Sequence, residues 1–172
     1  MKKVVDYLHD LKVSMFESAK LIPHPKNARL HNEYDLKAIM RSVERFGFRK
    51  PLVAHEKTFV VYAGNGTLEA ALNLGIEYVP VAWIPSRVSE TVCEAYAIAD
   101  NRTAELSKWN MESLQSSLKE LTDISPLDVG FSDLDLRDMF PDAFLNNFVL
   151  PDIEPKEDVK EEELAFNQVK LI

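Results

Sequence analysis

The chain is poor in the residues that build several common kinds of site. It has a single cysteine, Cys93, in 172 residues, which excludes an internal disulfide and a Cys-rich metal centre. Its four histidines, at positions 9, 24, 31 and 55, show no metal-ligand spacing. No G-x-S-x-G elbow occurs. No apolar run approaches the roughly 18 residues that a membrane span needs. The N-terminus, Met1-Lys2-Lys3-Val4-Val5-Asp6, has charge on both sides of a short apolar pair, which is not a signal-peptide pattern. Glycine is scarce at five residues and no internal repeat or biased block is present, so collagen-like and low-complexity chains are excluded. What is there, 46% hydrophobic and 28% charged residues, is ordinary for a globular protein. The expectation is a soluble, cytoplasmic protein with one domain of usual size and a small appendage.

The formal net charge of -8 argues against nucleic acid until it is mapped along the chain. Residues 1–110 carry 15 basic and 13 acidic side chains, residues 111–150 carry 2 and 8, and residues 151–172 carry 3 and 7. All the negative charge is therefore C-terminal. Residues 20–50 hold 8 basic against 3 acidic residues. Such asymmetry suggests an interaction surface on one part and a solvating or masking role for the other. Basic residues on a helix are also simply its wet face.

Residues 1–15 read as an N-terminal arm. Met15 to Ile22 reads as a short strand ended by Pro23 and Pro25. Asn32 is a good N-cap with Asp35 at the third helical position. The helix that follows puts Leu36, Ile39, Met40, Val43 and Phe46 on one face and stops at Gly47. Lys37, Arg41 and Arg45 fall four apart on another face. Pro51 to His55 and Phe59 to Ala63 are strands, the second strongly β-prone. Thr67 to Leu74 is a short helix closed by Gly75. Tyr78 to Ile84 is a strand interrupted by Pro80. Ser89 caps a helix to about Ala99, which Asp100-Asn101-Arg102 ends. Asn110 caps another to about Leu121, and Asp133 to Phe140 is the last. The result is a small α/β core with helices appended at its C-terminal side. The expected organisation is an arm at 1–15, a core domain at 16–108, a helical extension at 109–145 and an acidic, disordered tail at 146–172.

Three stretches carry candidate chemistry. Val60 to Ala63 runs through Gly64-Asn65-Gly66 into a helix starting at Thr67, and such a junction aims unpaired backbone N–H groups at one point. A phosphate is the natural guest, although a plain strand-to-helix turn fits the same residues. His24-Pro25-Lys26-Asn27-Ala28-Arg29 offers an amide and a guanidinium two apart, and Arg29 suits bidentate phosphate recognition; a turn with a surface ion pair is the alternative. Asp100-Asn101-Arg102 offers groups that hold magnesium or orient a phosphate, or that merely end a helix. Cys93, inside a helix without a nearby histidine, reads as a small core residue. Trp83 and Trp109 read as packing residues.

These three segments, in this order, resemble the ParB/sulfiredoxin superfamily, and look most like the ParB N-terminal-like domains found beside DNA methyltransferases and in phage and plasmid genomes. The resemblance rests on Leu21 to Arg29, Ser42 to Gly47 with Pro51, Ala63 to Ala71, Val79-Pro80-Val81 and Ile98 to Arg102, with Gly130-Phe131-Ser132 beyond them. It implies a small mixed sheet with flanking helices around a nucleotide-phosphate pocket, followed here by a helical C-terminal extension. ParB proteins bind CTP with magnesium there and use it to clamp DNA; relatives include ATP-dependent reductases, a kinase and nucleases. Carried over by position, Arg29 contacts phosphate from the first loop, Gly64, Asn65, Gly66 and Thr67 form the phosphate cradle, and Asp100 and Asn101 stand where ParB has a Glu-Asn pair that touches the triphosphate and the metal; Asn27 and Arg102 complete the candidate phosphate contacts. Asp100 is the candidate for magnesium and, with Glu69, a weak candidate for catalysis. Lys37, Arg41, Arg45, Arg49 and Lys50 are the candidate DNA contacts.

The departures from the pattern are informative. ParB reads G-E-R-R-x-x-A in the central motif, whereas Asn65, Gly66 and Thr67 stand in place of the Glu and two Arg. An acidic group and two cations are thereby lost, which argues against NTP hydrolysis, and the loop has no Cys for sulfinic acid reduction. Three functions stay open: a nucleotide-responsive DNA-binding protein using CTP or ATP with Mg2+, a non-catalytic adaptor docking on a DNA methyltransferase through its acidic tail, and a nuclease or phosphotransferase. A homodimer is a possible assembly, and no membrane partner is expected.

Overall fold

The computed structural model describes residues 11–141. The acidic tail and most of the expected N-terminal arm lie outside the described residues.

The chain folds in the order β1 (Lys12–Glu17), a 3-10 turn (Ser18–Lys20), β2 (Ile22–Pro23), α1 (Glu33–Phe46), β3 (Leu52–His55), β4 (Val60–Ala63), α2 (Asn65–Asn73), β5 (Tyr78–Ile84), α3 (Glu90–Leu106), α4 (Met111–Glu120) and α5 (Asp133–Met139). The five strands form one mixed sheet in the order β1-β5-β3-β4-β2. The outer pairs differ: β1 runs antiparallel to β5, and β2 runs parallel to β4. This is the α/β class, and the mixed sheet with flanking helices, that the sequence indicates.

The strand expected over Met15 to Ile22 is two strands with a turn between them, and β1 starts at Lys12, within the expected arm. Ser18 causes the break. It is buried, and its hydroxyl donates to the carbonyls of Ile76 at 2.6 Å and Glu77 at 3.2 Å. Pro23 then sits in an edge strand, where a missing N–H is tolerated. Pro80 does not interrupt β5. The β3 ladder begins only at Val81, so the missing N–H costs nothing on that side.

The core lies between the sheet and α2. Leu21, Leu52, Val61, Leu68, Val79 and Val81 are its main buried residues, with Phe16, Phe59 and Trp83 packed edge-to-face beside them. Phe59 has φ +58 and closes the β3–β4 hairpin rather than opening β4. Trp83 packs in the core as expected, its indole N–H donating to Ser14 Oγ at 2.7 Å.

The cap of α1 forms as read: Asn32 Oδ1 accepts the Asp35 N–H at 2.9 Å and Asp35 Oδ2 accepts the Asn32 N–H at 3.0 Å. Two helix boundaries differ. Helix α2 begins at Asn65, not Thr67, because Gly64 takes φ +88 and turns the chain straight off β4. A Cβ there would lie 2.6 Å from Leu52 Cδ2, so glycine is required on two counts. Helix α3 does not end at Asp100. Asn101 Nδ2 donates to the Ala97 carbonyl at 2.9 Å and Thr103 Oγ1 to that of Ala99 at 2.8 Å, so the polar side chains bond back within the helix and it runs on to Leu106.

Helices α4 and α5 build a separate small core of Leu118, Leu136 and Met139. Asn110 caps α4, and Ser132 with Asp135 forms a capping box on α5. Arg45 of α1 reaches this extension, its Nη2 donating to the Asp123 carbonyl at 3.2 Å.

Candidate functional site

Three segments far apart in sequence meet in one cleft. The loop between β2 and α1, the β4–α2 junction and one face of α3 enclose two adjoining chambers of about 360 Å³ and about 160 Å³. Asn27, Arg29, Tyr62 and Asn101 line both, so the chambers share a wall.

The smaller chamber lies at the start of α2, lined by Gly64, Asn65, Gly66, Thr67, His31 and Ile39. The first closed intrahelical bond is from the Leu68 N–H to the Gly64 carbonyl at 2.9 Å, and no side chain caps the helix. The N–H groups of Asn65, Gly66 and Thr67 therefore have no partner within the helix, and the dipole adds partial positive charge there. Gly66 is buried beneath the His31 ring; a Cβ on it would lie 2.7 Å from His31 Nε2. The space that a longer side chain would need at position 66 is thus occupied by the imidazole.

Asn65 is fixed at both ends of its amide. Its Nδ2 donates to the Val61 carbonyl at 3.0 Å and its Oδ1 accepts the His24 N–H at 2.8 Å. The residue clamps the first loop onto β4. The loop is further set by Asn27, whose Nδ2 donates to the Arg29 carbonyl at 2.8 Å. The Arg29 guanidinium pairs with Glu105 at 3.3 Å, and both side chains are about half exposed. An exposed pair of this kind is worth little, so Arg29 is free to exchange partners.

The larger chamber adds His24, Lys26, Glu94, Ala97, Ile98, Arg102 and Glu105. His24 is buried, packs against Tyr62 with ring centroids 4.9 Å apart and planes tilted by 59°, and places Nε2 3.2 Å from Glu94 Oε1. Burial pushes the Tyr62 hydroxyl above its ordinary pKa, helped by the nearby Cys93, Glu90 and Glu94. Cys93 is fully buried and burial raises its thiol too, in keeping with a core residue rather than a nucleophile.

No family model matches the chain. A curated relative, the ParB-like nuclease domain-containing protein YnaK of Escherichia coli K12, is 32% identical over 71 residues, covering 41% of this chain and 80% of YnaK. The chain belongs to the ParB-like domain family. Its fold agrees with that of the C-terminally truncated chromosome-partitioning protein ParB from Caulobacter crescentus, solved with CTP-gamma-S, at a TM-score of 0.55 and 16% identity over 74% of this chain and 70% of that one. A Pnob8-like ParB-N domain aligns at a TM-score of 0.46 and 14% identity, over 81% and 64%.

Within this ParB-like domain, Asn27, Arg29, Gly64, Asn65, Gly66, Thr67, Asn101 and Arg102 all line the cleft. Asp100 and Glu69 do not. Asp100 lies one helical step from Asn101 and points to Lys50, at 3.9 Å, and the Tyr96 hydroxyl, at 3.5 Å. Glu69 is exposed on α2. Among the described residues, no group of three or more His, Cys, Asp or Glu is placed to hold a metal ion. The residues that sequence reading left unassigned are His31, Tyr62, Glu94 and Glu105. Glu94, Ile98, Asn101 and Glu105 follow helical spacing, a signal lost once the helix is stopped at Ala99.

The basic stripe on α1 divides. Lys37 is exposed beside Glu33 at 2.7 Å, a contact that holds the Glu33 carboxyl below its ordinary pKa. Arg45 is tied to the Asp123 carbonyl, and the Nε and Nη2 of Arg41 are buried without a hydrogen-bond partner. Arg49 and Lys50 are exposed. Among the described residues, no helix is long and apolar enough to cross a membrane.

Proposed function

We propose that this chain is a nucleotide-responsive DNA-binding protein of the ParB type. The observation that carries the reading is the convergence of Arg29, the open N-terminus of α2 and Asn101 on one chamber. Backbone N–H groups with a helix dipole, plus a guanidinium that exchanges easily, form a phosphate site. The donor set fits a triphosphate: N–H groups of Gly66 and Thr67 with the Thr67 hydroxyl on one side, Arg29, Asn27 and Arg102 on the other. CTP is the first candidate, since a ParB of like fold was solved with CTP-gamma-S, and ATP the second. Magnesium enters as the triphosphate's own counter-ion; the orientation of Asp100 toward Lys50 does not fit it as a metal ligand.

DNA contacts fall to Lys37, Arg45, Arg49 and Lys50, the exposed members of the basic set, with the partly buried Arg41 beside them. The exposed pairs Lys37–Glu33 and Lys50–Asp100 open at little cost. The setting is DNA modification, partition or phage and plasmid DNA metabolism in the cytoplasm. A second copy of the chain and a DNA methyltransferase, engaged through the acidic segment Glu157 to Glu163, are the protein partners of this reading.

Calorimetry with CTP, ATP and GTP, with and without magnesium and duplex DNA, tests it. One nucleotide should bind, and DNA affinity should change in its presence. DNA affinity should also fall steeply with salt, with a log–log slope near -0.9 per neutralised phosphate. Binding of no nucleotide, or DNA affinity flat with salt, overturns the reading.

A further inference from the structure

We propose that Glu94 selects the nucleoside portion of the ligand, accepting a hydrogen bond from an N–H or O–H donor on its base or sugar, and that His24 is its positioning residue. This rests on the nucleotide reading above. If the phosphates fill the smaller chamber and reach Arg29 and Arg102 at the edge of the larger one, the rest of the larger one remains for base and sugar, and its volume of about 360 Å³ suits a small-molecule subsite.

The two carboxylates of that chamber are differently engaged. Glu105 has one oxygen on Arg29 and the other on Arg102, each at 3.3 Å, and so completes a surface ion-pair network. Glu94 instead meets an imidazole. The His24 side chain is 4% exposed and held on every side: Nδ1 accepts the Lys26 N–H at 3.2 Å, its backbone N–H goes to Asn65 Oδ1, and its ring packs on Tyr62. With Nδ1 accepting, the ring proton is on Nε2 and is donated to Glu94 Oε1. The carboxylate is thereby aimed, yet its side chain remains 30% exposed to the chamber.

An ionised carboxylate only accepts hydrogen bonds and repels phosphate. Placed in the larger chamber and not in the one at the start of α2, it orients a nucleotide and rewards a donor group. No cluster of three or more metal-ligating side chains stands among the described residues, so Glu94 is not part of a protein-built metal nest.

The full chain is titrated with CTP, dCTP, UTP and sodium tripolyphosphate, in magnesium and in EDTA. Glu94→Ala should weaken CTP about tenfold or more, the value of a charge-assisted hydrogen bond, and leave tripolyphosphate unchanged or tighter. Glu94→Gln, which keeps shape and one acceptor, should fall between and keeps the test in force should the alanine variant not fold. His24→Phe, which retains the packing on Tyr62, should lower the CTP-to-tripolyphosphate ratio in the same direction. A preference for CTP over UTP places the donor on the base; a preference for CTP over dCTP places it on the sugar. Equal loss for nucleotide and tripolyphosphate, no loss for either, or selectivity that vanishes in EDTA overturns the role of Glu94 and spares the nucleotide reading. Failure of the unaltered chain to bind any of the four, or ATP, overturns both.

Discussion

The two walls of the cleft are built to different standards. The β4–α2 wall is core: Val61, Leu68, Ala70 and Ala71 are fully buried, and Gly64 is wedged against Leu52. The α3 wall has 17 residues and buries only Cys93, while Val92, Ile98 and Leu106 stay exposed. The proposed phosphate cradle is therefore fixed by the same contacts that hold the fold. The wall carrying Glu94, Asn101, Arg102 and Glu105 is held by few, and belongs to the low-stability end of the structure. On the proposed reading, ligand-dependent change belongs to α3.

The contrast is sharpest in paired truncations. Leu68→Ala should cost about 2–5 kcal/mol of stability, as a buried leucine does, whereas Ile98→Ala, 64% exposed, should stay within about 0.5 kcal/mol. Urea denaturation measures both; similar costs would show that α3 is packed as firmly as α2. Next in size, Gly64→Ala should cost about 1–3 kcal/mol through left-handed strain and the Leu52 clash. It should also weaken phosphate binding, and a neutral result would contradict the fixed-cradle description. A third region, the α4–α5 extension, should respond independently of both walls. Ser132→Ala removes the α5 cap at about 1 kcal/mol and should leave ligand affinity untouched.

The smallest effect is one of pH. The Ser132 hydroxyl and N–H hold the Asp135 carboxyl below its ordinary pKa. Its contribution is present above the unfolded carboxyl value and is lost as pH falls through the lower, folded one. Acid titration of the Ser132→Ala variant, by circular dichroism, should therefore show less of the last small increment of destabilisation than the parent chain, since the backbone N–H remains.

Much of the cradle is legible locally. A β-prone run, a glycine and a helix-forming stretch dictate the strand-to-helix junction, and Asn32 with Asp35 dictates the start of α1. The end of α3 is misread because Asp100 and Asn101 look like terminators, whereas Asn101 bonds back to Ala97 within the helix. The remaining features are long-range. The His24–Glu94 contact joins residues 70 positions apart and Arg45–Asp123 joins residues 78 apart. No local period announces such pairs, so a stripe read as wet on sequence grounds partly supports the extension. The packing of His31 on Gly66 explains why a longer side chain is missing from the motif, and only the fold shows it.

The central claim is that phosphates are held by the open N-terminus of α2. Backbone amide resonances of Asn65, Gly66 and Thr67, followed by NMR as CTP and then tripolyphosphate are added, test it most directly. The account expects these amides to shift with both ligands, and Asn101 to shift with CTP. Saturable binding that leaves the three amides unmoved would contradict it.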